Sequence, residues 1–483
     1  MSTHDVVVVG YGAAGVAAAI TAADAGADVV VVERNPADRH TPSTRMSGGM
    51  IMVGTDAAAL TDYLDACADG MIPRECSARW AMYASELDDW LRTRVGGLDL
   101  TPSGGAEHPR IPGADAVVTL QPGGVAERLA ADSPAGPMLW SRLDAAVRRR
   151  DVPVLHDRRA LRLTTDGHRV TGVTVDGPDG SETYEATRGV VLACGGFEFD
   201  EEMKRDHLRV HPAYFYGNPT STGDGVRMAQ SVGAGLWHMN QMIGRAIGHF
   251  TLDDGTELNL IIGIGPPGYV ICDRDGNRFI DENAQALLRH DVYFDLLTYD
   301  PVRNRHPRVP CWWFFDERRR RAGPLTFANF GAVAVGLYDW SGDNSVEIER
   351  GWIAAGSTIA EAAAAAGMDA PAQAAATVAG YNRLCETGGP DPFGRPPETM
   401  IPLDEPPFYC MPLWPGGSNT TGGPRRDADC RILDAFGEPI AGLYGAGELG
   451  QPTGMIYPAD GCNLSEAFCS GRMAAEHALG LGP

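Results

Sequence analysis

The sequence predicts an α/β protein: a parallel sheet that binds a dinucleotide, accompanied by a second domain. Three observations predict it. The first 35 residues form a strand, glycine turn, helix and second strand; two later apolar runs end in glycine pairs; and 483 residues exceed one ordinary core.

Each element follows from its residues. DVVVV (5–9) has the look of a buried parallel strand, and it runs into Gly10-Tyr-Gly12-Ala13-Ala14-Gly15. The alanine-rich helix VAAAITAADAG follows, ending at Gly26, and DVVVVER (28–34) supplies the next strand. Gly10 permits the tight turn, Gly12 lets a pyrophosphate approach the backbone, and Gly15 lets helix and strand pack closely. The helix N-terminus offers N–H donors to phosphate, and Glu33, 23 residues after Gly10, can hold ribose hydroxyls. This is the Rossmann-like fingerprint, complete with both strands and the acid.

The extent of the ligand decides between NAD and FAD. AGLYGAGELG (441–450) is a second strand ending in glycines, with Gly447 and Glu448 at its tip. RGVVLACGGFEFD (188–200) is a third, ending in Ala193-Cys194-Gly195-Gly196. Arg34 and the loop TPSTRMSGGM, with Thr44, Arg45, Met46, Ser47, Gly48 and Gly49, offer hydrogen bonds to diphosphate and flavin. A chain that returns to the same ligand from both ends suits an extended one, so FAD is the expected cofactor.

Composition excludes other classes. A net charge of −23 repels nucleic acid phosphates. No apolar run reaches the ~18 residues of a membrane span, and the N-terminus lacks the basic region of a secretory signal. Ten cysteines include no C-x-x-C pair, so no zinc, haem or iron–sulfur site is expected; reduced thiols in a cytoplasm are the plain reading.

GYGAAG, STRMSGGMI, VVLACGGFEFD, NPTSTGDGVRMAQSVGA, DRDGNRFIDE, TVAGYNRLCETGGPDPFGRP, NTTGGPRRDADCRIL and GLYGAGELG occur in one order along the chain. Together they resemble the flavoprotein family of fumarate reductases and 3-ketosteroid dehydrogenases, nearer the latter branch. The resemblance implies an FAD domain over about 1–235 and 397–483, with an inserted α+β substrate cap over 236–396. The alanine-rich stretch 355–380, broken by the Gly/Pro cluster 387–397, agrees with a boundary there. The resemblance adds Gly223 and Asp224 to the expected FAD contacts. It also places a helix starting near Asn463-Leu464 against the flavin's pyrimidine end, where its N–H groups stabilise charge at N1/O2.

The loop before that helix distinguishes the branches. Fumarate reductases of this kind carry an arginine there and a histidine just before the T-x-G-G segment; this chain has no arginine between Arg431 and Arg472, and has Ser418-Asn419 in the second place. Ketosteroid 1-dehydrogenases use a tyrosine hydroxyl and, four residues on, a glycine N–H to hold a ketone oxygen, and Tyr457 and Gly461 match that spacing. The pair reads as an oxyanion hole for α-proton removal; simple packing of the phenol is the competing reading. Asp460 is expected to cap the following helix.

The acid or base stays open. Residues 272–294 resemble the cap's strand–turn–strand lip and 311–321 the strand and helix after it. Tyr293, Arg320 (in an F-D-x-x-x-R pattern) and His290 are the candidates, since Ala286 stands where ketosteroid dehydrogenases have a tyrosine; a solvated helix face competes for Arg318–Arg321. His40 lies near a position where some relatives attach flavin, at a spacing that disfavours it, so FAD is expected to be non-covalent. Trp312 to Phe315 read as core, and Tyr409 and Trp414 as possible pocket walls. The expected reaction is α,β-dehydrogenation of a hydrophobic cyclic ketone, a 3-ketosteroid being the named guess, with an external electron acceptor. The alternatives are an ene-reductase that protonates an enone through Arg320, using an external donor, and a flavin carrier without substrate chemistry.

Overall fold

The computed structural model describes residues 2–123, 135–287 and 290–481, with the side chains of 285–287 also set aside. Two compact units emerge: Met1–Leu208 with Gly217–Met242 and Asn419–Pro483, and Arg209–Tyr216 with Ile243–Ser418.

The first unit is built on a sheet with strand order Arg431–Leu433, Pro439–Gly445, Gly180–Leu192, Ser2–Val9, Val29–Val32, Val154–Leu155. All neighbours except the first pair are parallel. The valine runs are buried, as strands covered on both faces must be. Register is the decisive feature. Val9 pairs with Val32 and with Leu192, and Leu192 pairs with Gly445, so four strands finish at one edge. Ligands in open α/β sheets bind outside such carboxyl ends. Helix Ala13–Asp24 packs against the last helix, Cys462–Leu479. The approach is close because a Cβ on Gly471 would fall 2.2 Å from the Ala14 carbonyl oxygen.

The second unit centres on a seven-stranded sheet ordered Glu257–Ile261, Met242–Thr251, Phe408–Thr420, Cys311–Asp316, Tyr269–Cys272, with Tyr214–Phe215 and Ala354–Gly356 also on Phe408–Thr420. The expected boundaries therefore shift. Residues 397–418 stay with this unit because Cys410 to Leu413 pair with Phe314 to Cys311, and 209–216 join it because Tyr214 pairs with Gly416. Trp312 and Phe314 pack into a core with Ile359, Ala363, Val378 and Tyr381, while Phe315 stacks on Tyr409. The aromatic run is core. The anticipated lip has one strand and a single bridge, Cys272 to Arg278; helix Glu282–Leu287 replaces the second strand.

Candidate active site

The four strand ends converge on one cradle. Gly10 has φ 103° and a Cβ there would lie 2.4 Å from the Ala193 carbonyl oxygen, so only glycine turns the chain at that point. Gly12 is the N-cap of helix Ala13–Asp24, with no side-chain cap. A Cβ on it would meet nothing nearer than Thr44 Oγ1 at 3.6 Å, leaving the backbone open to a ligand. Thr44 Oγ1 accepts the Ala13 N–H at 2.9 Å and so takes one donor of that first turn for itself. A Cβ on Gly15 would fall 2.0 Å from the Gly10 carbonyl oxygen, which explains the third glycine.

Glu33 lies at the end of the second strand, buried, with Oε2 accepting the Tyr11 N–H at 3.0 Å and Oε1 accepting Asn35 N and Nδ2 at 2.8 Å. Burial alone would raise its carboxyl, but His40 and these N–H donors hold it below the ordinary range. His40 has Nε2 3.6 Å from Glu33 Oε2 and its ring packed against both Tyr11 and Trp140, so it braces the Glu33 carboxylate. Arg34 donates to the Thr220 carbonyl and Thr222 Oγ1 and pairs with Asp224, which Arg159 also grips through both carboxylate oxygens. Asp224 is thus occupied by two arginines and braces helix Asp224–Ser231, whose N-cap is Gly223 at φ 74°. In the helical turn Ser43–Met46, Arg45 donates to the His40 carbonyl, Met46 is buried, and Ser47 Oγ donates to the Thr44 carbonyl and accepts from Gly49 N, past Gly48.

The later strand ends complete the edge. Ala193, Cys194 and Gly195 follow Leu192, with Gly195 at φ 80° and a Cβ there only 2.8 Å from Ser221 Oγ. Burial pushes the Cys194 thiol up to about 12, so it is no thiolate. Gly447, φ 70°, donates its N–H to Ser470 Oγ, and Glu448 follows. Burial raises the Glu448 carboxyl well above its ordinary range, reinforced by Glu198.

The loop 451–461 then leads to the last helix. Tyr457 is buried, and its hydroxyl oxygen accepts the Asn463 N–H at 3.4 Å. Leu464, buried, is the next residue of that first turn. Gly461 is the N-cap at φ 87°, with no side-chain cap, which corrects the expected cap by Asp460: the helix starts at Cys462, one residue too late for it. The Gly461 carbonyl accepts from Met52 N and Ser465 N, and among the described residues its N–H meets no acceptor. A Cβ at 461 would lie 2.6 Å from Ile51 N.

The acid–base candidates belong to the second unit. Arg320 is bound through both donors to Glu317, at 2.7 and 2.6 Å, and its Nη1 donates to the Asp343 carbonyl. That ion pair raises its pKa, which opposes proton donation. Tyr293 is buried in a short helix, its hydroxyl lacks a partner among the described residues, and burial pushes it up to about 12. Arg245 Nε donates to His290 Nε2 at 3.1 Å, engaging that nitrogen's lone pair. Arg289, the residue before His290 in the sequence, lies outside the described residues. Tyr409 donates to Glu317, and Trp414 sits edge-on to Tyr214.

Sequence reasoning missed Arg426. Buried, it spans the glycine turn, donating to the carbonyls of Gly445, Gly447 and Gly450 and pairing with Glu466. It also missed the amides Asn419 and Gln451, which bond Asn463.

The family model described as FAD binding domain matches residues 5–464. The chain belongs to that family. It is similar to a 4-oxocyclohexanecarboxylate 2-dehydrogenase of Sinomonas cyclohexanicum, 26% identical over 99% of this chain and 93% of that one. A 3-oxosteroid 1-dehydrogenase of Mycobacterium tuberculosis is 27% identical over 98% of each. A probable fumarate reductase of Shewanella frigidimarina is 27% identical over 99% of this chain and 75% of its own. The fold matches a 3-ketosteroid delta1-dehydrogenase from Sterolibacterium denitrificans, with TM-score 0.83, 22% identity and full coverage of both chains. The protein is an FAD-dependent oxidoreductase of the ketosteroid dehydrogenase and fumarate reductase kind, and the cradle fits FAD by its open Gly12, the Glu33 carboxylate at the end of the second strand and its two helix N-termini. Among the described residues no helix is long and apolar enough to cross a membrane, and no cluster of His, Cys, Asp and Glu could hold a metal.

Proposed function

We propose that the enzyme dehydrogenates a hydrophobic cyclic ketone at the bond next to its carbonyl. The observation that carries this is the placing, just before and at the mouth of helix Cys462–Leu479, of the Tyr457 phenol and of a Gly461 N–H that meets no acceptor among the described residues. FAD, when bound, supplies the hydride-accepting chemistry. The chain supplies the grip: Tyr457 Oη and Gly461 N donate to the ketone oxygen, which gains enolate charge as the neighbouring carbon gives its proton to a general base of the protein or to water. The positive end of the helix stabilises the same charge. The relatives that act on a 4-oxocyclohexanecarboxylate and a 3-oxosteroid support a ring ketone as substrate class.

The reverse reading, an ene-reductase with Arg320 as acid, loses support from the Glu317 pair. Anaerobic mixing with 4-oxocyclohexanecarboxylate and with a 3-oxosteroid tests the proposal: a ketone substrate bleaches the flavin absorbance, and Tyr457→Phe slows the bleaching by about two to three orders of magnitude. Reoxidation of pre-reduced enzyme by enones, with no bleaching by ketones, would favour the reductase; neither response would leave a carrier.

A further inference from the structure

The loop that bears Tyr457 leaves at Gln451 and rejoins at Asn463, and its two ends meet. Gln451 Nε2 donates to Asn463 Oδ1 at 2.9 Å, Asn463 Nδ2 donates to Asn419 Oδ1 at 2.8 Å, and Asn419 Nδ2 donates to Gln451 Oε1 at 3.3 Å. The three amides form a ring in which each gives one N–H and receives one at its carbonyl. Such a ring closes only when all three amides run in the same sense, and the bond from Asn419 Nδ2 to the Thr420 carbonyl selects that sense. Flipping any single amide would set oxygen against oxygen and nitrogen against nitrogen, so each orientation is fixed by the other two.

The ring is anchored and, but for the half-buried Asn463, buried. Asn419 and Gln451 are sealed from solvent; Asn419 Nδ2 also donates to the Thr420 carbonyl, and the Gln451 carbonyl accepts from His238 Nε2 at 2.9 Å. Asn463 belongs to two systems at once. Its side chain closes the ring while its backbone N–H donates to the Tyr457 hydroxyl oxygen. A phenol oxygen that accepts from a fixed N–H has fewer orientations left for its own proton.

We propose that Asn419, Gln451 and Asn463 are positioning residues: their amide ring clasps the neck of loop 452–462 and, through the Asn463 N–H, sets the direction in which Tyr457 donates. This rests on the reading of Tyr457 as a donor to the substrate oxygen. The tip of the loop is held separately, by Tyr63 Oη and Glu107 N at the Pro458 carbonyl and Thr119 Oγ1 at the Asp460 carbonyl; the ring acts on the Tyr457 oxygen, because an oxyanion donor must be aimed before charge develops.

The test uses the FAD-loaded enzyme and 4-nitrophenol, whose phenolate oxygen stands in for the enolate and whose absorbance reports binding. Tyr457→Phe is expected to weaken binding about tenfold. Asn419→Leu and Gln451→Met, neutral and of similar size, are each expected to weaken it comparably, yet to add nothing when combined with Tyr457→Phe. Melting temperature and FAD content are read on the same samples, and a purely structural role would lower these without that non-additivity. If either ring variant binds the probe as tightly as the parent, or its loss adds in full to that of Tyr457→Phe, the clasp is overturned. Should one ring variant not fold, the other and Asn419→Ser decide by the same comparison. A silent Tyr457→Phe overturns the donor reading and the clasp with it; silent ring variants beside a weakened Tyr457→Phe overturn the clasp alone.

Discussion

Arg426 and Glu466 form an ion pair in the interior, Nη2 to Oε1 at 3.0 Å, with both side chains sealed from water. Further guanidinium N–H groups go to the carbonyls of Gly445, Gly447 and Gly450. Arginine's planar fork thus holds in shape the turn that presents Glu448. Removing one partner of such a pair strands the other charge. Arg426→Met is expected to cost about 3–5 kcal/mol and to release FAD, as read by denaturant titration and by flavin retained after gel filtration.

Gly461→Ala should be among the most damaging small changes. At φ 87° a side chain is strained, and its Cβ would sit 2.6 Å from the backbone nitrogen of Ile51. The helix start must shift to admit it. The expected outcome is a loss of about 1–2 kcal/mol from the backbone conformation alone and loss of flavin bleaching by ketones. Unchanged bleaching would separate Gly461 from the carbonyl site.

Tyr293→Phe separates a base from a packed ring. The hydroxyl is buried without a partner among the described residues, and burial drives the phenol toward its protonated form. Removing it relieves an unsatisfied group, so stability is expected to hold or to rise by up to about 1 kcal/mol while the pH–rate profile keeps its shape. A rate loss of a hundredfold or more would restore Tyr293 as the proton acceptor.

The acids Glu198 and Glu448 give stability a pH slope. Burial pushes the Glu198 carboxyl up to about 7 and raises Glu448 as well. A group that binds its proton more tightly when folded contributes fully below the unfolded carboxyl range, and that contribution is lost as pH rises through about 7. His238 works in the opposite sense. Burial lowers it to about 4, so its contribution is present above the unfolded histidine range and lost as pH falls. The Glu198 share is therefore the difference between the parent and Glu198→Gln. The variant should lose less melting temperature between about pH 5.5 and pH 8, measured by calorimetry, and an identical slope would contradict the assignment.

Local signals were legible in the sequence and distant ones were not. The valine runs, the three fingerprint glycines and Glu33 announce themselves because a buried parallel strand and a tight turn each need particular neighbours within a few residues. The Tyr457–Gly461 spacing was visible for the same reason. Arg426 sits in the run PRRDADC, which reads as surface charge; its acid lies 40 residues later in a helix that looks apolar. The amide ring draws on positions 419, 451 and 463, and nothing in the type of any one of them marks a partner. Asp460 had the right chemistry for a cap but lay one residue from where the helix begins. Arg320 matched a spacing, and its three-residue neighbour Glu317 was in plain view as the group that neutralises it.

The register of the main sheet also has a consequence for biosynthesis. Strand Pro439–Gly445 adds alongside Gly180–Leu192, so the ribosome must deliver the whole of the second unit before that edge of the sheet can form. Products cut short ahead of that strand leave Leu192 without its Gly445 neighbour and lack the turn that bears Gly447 and Glu448, so loss of the yellow colour is the expected mark of such truncations.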